Sequence, residues 1–273
     1  MPYQPTHTYV LGDVHGRADL LQAMLSHFAE EGAAKGFDYR IIFLGDIIDR
    51  GPESRQALAL VKEAVRGIPG SQFILGNHDA APLTIFDENS AERAEKRLLH
   101  WITNQGGDTT LSSYGLDIET LTLTTFKQRF DEEHIAFLRQ AQRYVELESH
   151  ILVHAGIKPD IPLPIQDPYD LMWIREPFLY HQGTFGKVII HGHTPTESGL
   201  PELYPNRLAL DTKAYASGRL TAAHLLDSEI CELLWTSPNS PHTVGVVSPL
   251  TFDYPSCHSA ATESKTLLQG SSR

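Results

Sequence analysis

Short uninterrupted apolar runs recur along the first third of the chain, and each stops at a glycine followed by a side chain able to bind a metal. Tyr9-Val10-Leu11 leads into Gly12-Asp13, Ile41-Ile42-Phe43-Leu44 into Gly45-Asp46, and Phe73-Ile74-Leu75 into Gly76-Asn77. Behind the first run, Leu20, Leu21, Met24, Leu25 and Phe28 fall at helical spacing and predict a helix over 17–32. Behind the second, Ala57, Leu58, Leu60, Val61 and Val65 predict another near 53–66. Runs without polar alternation predict strands covered on both faces, the signature of a layered α/β sheet.

The rhythm breaks over 80–140. Charged, helix-forming pieces ("ENSAERAEKRLLHWIT", "TFKQRFDEEHIAFLRQA") flank the turn-rich "NQGGDTTLSSYGLD", and together they predict a helical insertion beside the sheet. Strand-like runs return at "YVELE", "ILVHAG", "KVIIHG", "RLALD", "RLTAAHLL" and "EICELLW", the last two placed as a hairpin across "DS". After Trp235 the composition turns Ser- and Pro-rich with few charges. The expected organisation is therefore one domain over 1–236, carrying the 80–140 insertion, and an extended or poorly ordered tail over 237–273.

Bulk properties narrow the function. The 273 residues carry a formal net charge of −12, which argues against nonspecific binding to nucleic acid or an anionic membrane. The two cysteines, Cys231 and Cys257, match neither a zinc spacing nor a disulfide framework. No apolar run approaches the roughly 18 residues a spanning helix needs, and "MPYQPTHTYVLGD" has no basic segment followed by a long apolar one. A cytoplasmic protein is the expectation.

The chemistry sits at the strand ends. Gly12-Asp13-Val14-His15-Gly16, Gly45-Asp46-Ile47-Ile48-Asp49-Arg50-Gly51 and Gly76-Asn77-His78-Asp79 each follow an apolar run, and His154 and His193 follow two later ones. Ligands of α/β sheets gather at the carboxyl ends of strands, so these groups should converge on one edge. Asp13, His15, Asp46, Asn77, His154 and His193 offer oxygen and imidazole nitrogen without a thiolate, a set suited to Mn, Fe or Zn. A carboxylate shared between two ions would be needed for a dinuclear site, and Asp46 is the natural candidate.

The series "GDVHG", "GDIIDRG", "GNHD", "HAG", "GHTP" resembles the motif order of the metal-dependent phosphoprotein phosphatase family, within the calcineurin-like metallophosphoesterases, and the resemblance spans roughly residues 7–236. It implies a fold of two mixed sheets flanked by helices, with a small helical cap. It implies two divalent ions, manganese before iron or zinc, with Asp13 and His15 on the first, Asp46 bridging, and Asn77, His154 and His193 on the second. It also implies His78 as general acid oriented by Asp49, Arg50 on the phosphate oxygens, and a water between the ions as the attacking group. A second phosphate-binding arginine is expected between "HAG" and "GHTP", and Arg175 in "MWIRE" is the candidate. The substrate so implied is phosphoserine or phosphothreonine in a protein.

Two departures shape the alternatives. Pro195 stands where many metallophosphoesterases carry a second ligating His, which argues against the cyclic-nucleotide types. Asp79 stands where eukaryotic protein phosphatases resemble one another in carrying Glu, and Asp there is also found in symmetrical diadenosine polyphosphate hydrolases. That hydrolase is the alternative enzyme; a catalytically inactive phosphoprotein-binding scaffold is the alternative from another class. His191 is expected in a supporting or core role. Asp211 and Thr212 are expected as structural support, Tyr215 at the cleft rim, and Trp101 in the packing of the cap. The 106–115 segment is expected as either a loop or a substrate-selecting lid. His100, His134, His150, His181 and His224 carry no motif.

Overall fold

The computed structural model describes residues 7–227 and 229–252. Chain order runs β1 (His7–Leu11), α1 (Ala18–Lys35), β2 (Tyr39–Phe43), α2 (Ser54–Gly67) and β3 (Gln72–Phe73). A helical stretch follows: α3 (Asn77–Phe86), α4 (Ala91–Asn104), α5 (Gly107–Ser113), α6 (Leu123–Arg129) and α7 (Glu132–Leu138). Then come β4 (Tyr144–Glu146), β5 (His150–Val153), α8 (Pro168–Trp173), β6 (Val188–His191), β7 (Glu202–Tyr204) and β8 (Arg207–Ala209). The last are α9 (Ala214–Ser217), β9 (Thr221–Leu226), β10 (Glu229–Ser237), β11 (Ser240–Val246) and β12 (Leu250–Thr251).

The strands make two mixed sheets, ordered β11-β10-β9-β1-β2-β3 and β12-β7-β8-β6-β5-β4. The unbroken apolar runs acquire their meaning here. With side chains alternating in direction along a strand, Val10, Ile42 and Leu44 enter a core shared with Leu152, Ile190 and Leu208 of the facing sheet. Their neighbours Tyr9, Leu11, Ile41 and Phe43 point the other way, into a core with α1, α2 and the helical stretch. Ile151, Val153 and Ile189 likewise pack outward against Leu171, Ile174 and Phe178. All of these outward- and inward-facing strand residues are buried, each worth about 1.5–3 kcal/mol of transfer free energy, so no polar alternation is tolerated along them.

Helix ends are set locally. α1 stops at Gly36, which takes φ +73° and donates its N–H to Gly32 O at 2.8 Å. α4 starts at Ser90, whose hydroxyl accepts from Arg93 N.

The helical stretch is continuous with the first core: Trp101, Phe126, Phe130 and Phe137 share one buried cluster with Phe28 and Phe43. The expected tail is corrected in part. β10 runs on to Ser237, β11 pairs antiparallel with it at the sheet edge, and β12 pairs with β7. The edge position explains the disagreement, because an edge strand accommodates proline and polar residues that suggest a tail. Residues 253–273 of that expectation lie outside the described residues. No described helix is long and apolar enough to cross a membrane.

Candidate metal centre and cleft

β1, β2 and β3 are mutually parallel, so Asp13, Asp46 and Asn77 leave the same edge of the first sheet. β5 and β6 are parallel in the second sheet and deliver His154 and His193 to that edge. The turns there are strained. His15, Asp46, Asp49, Arg50 and His193 all adopt positive φ, between 46° and 74°. Each such residue costs of order 1–3 kcal/mol, and such strain collects at functional sites.

Asp46 is the hub. Its Oδ2 lies 3.7 Å from His15 Nε2 and 4.0 Å from His78 Nε2, while its Oδ1 lies 3.3 Å from His154 Nε2 and accepts the His78 backbone N–H at 2.9 Å. Asn77 Oδ1 stands 3.0 Å from His154 Nε2 and 2.8 Å from His193 Nδ1. Asp13 Oδ2 is 4.0 Å from His15 Nε2 and accepts the His193 backbone N–H at 3.0 Å. Two glycines make room: a methyl group on Gly192 would collide with the Asp13 carboxylate, and one on Gly76 with Asp46.

The donor set fits divalent ions on its own geometry. His15 Nδ1–H donates to Ile48 O at 3.0 Å and His154 Nδ1–H to Leu44 O at 2.8 Å. Each ring is thereby fixed with a bare Nε2 lone pair facing Asp46, the orientation that a backbone carbonyl imposes on a ligating imidazole. Lone pairs of Asp46, Asn77, His15 and His154 thus face one another, an arrangement that requires a cation or protons between them. Two triplets close enough to hold an ion share Asp46: His15, Asp46, His78 and Asp46, His154, His193.

The electrostatics agree. Burial, then Asp211 and Asp46, push the Asp13 carboxyl well above the usual carboxylate range. Burial also raises Asp46, but His154, His78 and His15 outweigh it and hold that carboxyl well below its usual value. Burial drives His15 to about 3, and burial with His154 does the same to His193. So many acidic groups cannot all ionise in one dry pocket without an added positive charge.

Beside this cluster lies a dyad. His78 Nδ1 meets Asp49 Oδ2 at 2.8 Å, leaving Nε2 toward the cleft. Burial opposes the charge on His78, but Asp46 and Asp49 outweigh it and raise the imidazole above its ordinary value. Arg50 bonds His78 Nε2 at 3.1 Å and His15 Nε2 at 3.3 Å, with its guanidinium 5.1 Å from the Tyr215 ring. A cleft of about 210 Å³ is lined by Asp46, Arg50, Asn77, His78, Arg175 and His193, together with Trp173 and three residues from the end of α4, His100, Asn104 and Gln105. Arg175 is exposed at its mouth, just past α8.

Six of the ten expected site residues therefore line this cleft, and Asp13, His15, Asp49 and His154 contact them from behind. Several other expectations need correction. The 106–115 segment is not a plain loop: it forms α5, and Thr110 donates to Asp49 Oδ1 at 2.6 Å. Trp101 does pack Phe126 and Phe130, but its indole N–H also donates to Asp49 Oδ2 at 2.8 Å. His100 lines the cleft. Asp79 faces away from it, accepting Ile47 N at 2.9 Å and Gly76 N at 3.3 Å, so its departure from Glu concerns the turn scaffold. His191 packs edge-on to Phe178 in the core, as expected, and Asp211 is buried and accepts Lys213 N at 2.9 Å. Tyr215 lies edge-on to His15 at the rim.

Known proteins share this architecture. The family model for calcineurin-like phosphoesterases matches residues 6–220. Serine/threonine-protein phosphatase 1 of Salmonella typhimurium is 26% identical over 80% of this chain and 92% of its own length. The asymmetrical bis(5'-nucleosyl)-tetraphosphatase PrpE of Bacillus thuringiensis is 27% identical over 88% of this chain and 98% of its own. Among solved structures, a putative diadenosine tetraphosphatase aligns with a TM-score of 0.59 at 20% identity, covering 84% of this chain and 94% of that one.

Proposed function

The chain belongs to the calcineurin-like phosphoesterase family, and from that premise we propose that it is a phosphatase of phosphoserine and phosphothreonine in proteins, acting in the cytoplasm. The observation that carries the reading is the position of Asp46, common to two ligand triplets and 4.0 Å from the imidazole of a His–Asp dyad.

Asp13, His15 and Asp46 would hold one divalent ion, and Asp46, Asn77, His154 and His193 another. When bound, such a pair, of manganese in this reading, supplies an acidified water and neutralises phosphate charge. The chain's own residues do the rest. Arg50 leaves His15 and His78 to grip two phosphate oxygens, for which its planar fork is suited. Arg175 closes on the phosphate from the cleft mouth. With Arg50 turned away, His78 Nε2 carries a proton toward the leaving oxygen. Asp49 fixes the ring so that this proton sits on the cleft side. The exposed Arg175 at the cleft suits a phosphorylated side chain presented by a polypeptide, and the protein phosphatase relative matches over nearly its whole length.

A second reading has its own support. Trp173 lines the cleft and stacks on exposed Tyr169, with ring centroids 5.9 Å apart, an aromatic platform on which a nucleobase could lie. The tetraphosphatase relative also matches over nearly its whole length, so hydrolysis of a dinucleoside polyphosphate, symmetrical or asymmetrical, is the competing activity.

The test runs a phosphothreonine peptide and diadenosine tetraphosphate in parallel with manganese and a chelated control, with nucleotide products separated by chromatography. Peptide turnover well above dinucleotide turnover is expected. The reverse would transfer the assignment to the nucleotide, and no turnover of either substrate or of a small aryl phosphate would leave only a binding scaffold.

A further inference from the structure

The end of α4 forms a wall of the cleft that no step of the proposed reaction uses. His100 and Asn104, four apart on one face of that helix, line the same space as Asp46, Arg50, His78 and Arg175. Both are exposed. The wall is fixed to the reacting groups. Trp101, which lies between His100 and Asn104 in sequence, is held by its bond to Asp49. Just past the helix, Gly106 O accepts the Arg50 backbone N–H at 3.2 Å.

Hydrogen-bond accounting shows what the wall offers. The Thr103 hydroxyl donates to Leu99 O at 2.9 Å, so its oxygen accepts from Asn104 Nδ2, also at 2.9 Å. The other Nδ2 hydrogen goes to His100 Nδ1 at 3.0 Å. Both donors of the Asn104 amide are then engaged, and the His100 ring, accepting at Nδ1, carries its hydrogen at Nε2. One acceptor, Asn104 Oδ1, and one donor, His100 Nε2–H, remain side by side. Among the described residues neither has a partner.

We infer, on the reading that the substrate is a phosphoprotein, that this pair recognises the main chain of the phosphorylated residue: Asn104 Oδ1 accepts its N–H, and His100 Nε2–H donates to its C=O. In an extended chain the N–H and C=O of one residue point to the same side, as they do toward an antiparallel neighbour, so a donor beside an acceptor takes both. In phosphoserine or phosphothreonine that main chain follows the phosphate oxygen after a single carbon, Cβ, and so stays close to a cleft of about 210 Å³. A nucleobase is held away from its phosphate by a whole ribose, and the ring stack that suits it is Tyr169 on Trp173, not α4. His100 and Asn104 are thus specificity-determining residues, adding affinity for a polypeptide without touching the phosphoryl group.

The test uses the full chain with manganese and three substrates: a phosphothreonine peptide, the same peptide with an ester oxygen in place of the phosphothreonine N–H, and an aryl phosphate, which has no main chain. In the parent, KM for the ester peptide should exceed that for the amide by roughly 2–10-fold, the worth of one hydrogen bond. Asn104→Ala should raise KM for the amide to that for the ester and erase the difference. His100→Ala should raise KM for both peptides. In each variant the ratio of peptide to aryl phosphate kcat/KM should fall, and alanine at these exposed helical positions leaves the fold intact. Equal KM for the two peptides in the parent, or a difference that Asn104→Ala leaves unchanged, would overturn the inference while peptide turnover upholds the phosphoprotein reading. Turnover of the aryl phosphate without turnover of either peptide would overturn both.

Discussion

The indole N–H of Trp101 donates to Asp49 Oδ2 at 2.8 Å, and that same oxygen meets His78 Nδ1 at 2.8 Å. With Thr110 on the other oxygen at 2.6 Å, the Asp49 carboxylate is clamped from three sides. Burial raises its affinity for a proton, and these donors oppose that. The helical insertion thus reaches the proposed acid through a two-bond relay. Trp101→Phe keeps the aromatic packing against Phe126 and Phe130 but removes the donor. We expect turnover of a phosphopeptide to fall roughly 10-fold through mispositioning of His78, with an aryl phosphate of good leaving ability much less affected. Equal losses on both substrates would show that Trp101 matters only for packing.

His78 itself gives the sharper version. His78→Asn should keep the metal content of the parent, because the remaining donors around Asp46 are untouched. Turnover of poor leaving groups should drop by about 10²–10⁴, the range for loss of a positioned acid. A phosphopeptide rate like the parent's would remove His78 from the acid role. Loss of a bound ion would instead make it a ligand, which its 4.0 Å approach to Asp46 geometrically permits.

Gly192 separates sterics from chemistry. It offers no donor side chain, yet a Cβ there would collide with the Asp13 carboxylate while its N–H holds His154 O at 2.8 Å. Gly192→Ala should displace Asp13 and weaken metal affinity by about 10–100-fold, as loss of a supporting contact does in metal sites. Competition with a chelator reads this directly, and affinity equal to the parent's would show that Asp13 is not held where the ions bind.

Much of this was legible in the sequence because two rules coincide at each strand end. A run buried on both faces must be wholly apolar, and a metal donor at its exit must follow a turn that glycine permits. Asp13, Asp46 and Asn77 satisfy both, so neighbouring letters carry their placement. Trp101 and Thr110 satisfy neither. Their bonds to Asp49 join positions 52 and 61 residues apart, and no periodicity encodes a side-chain hydrogen bond across such a separation. The cleft-lining face of α4 is hidden likewise: His100 and Asn104 fall at ordinary helical spacing and acquire significance only from where the helix ends. β11 and β12 escape for a third reason, since edge strands are released from the patterns that buried strands obey.

The insertion also carries a pH response remote from the cleft. His134 on α7 is 2% exposed and accepts the Tyr114 hydroxyl proton at Nδ1, 2.6 Å away. Burial drives its pKa down to about 4; Asp131 pulls upward, and Lys62 and Arg55 push further down. The unfolded chain binds this proton near pH 6.5, the folded chain only near 4, so acid favours unfolding. The contribution is complete above pH 6.5 and is lost progressively as pH falls toward 4. His134→Gln, which offers an amide oxygen to Tyr114 but cannot titrate, should flatten the fall in urea midpoint between pH 6.5 and 4.5. If parent and variant lose stability in parallel over that interval, the acid sensitivity lies elsewhere in the molecule.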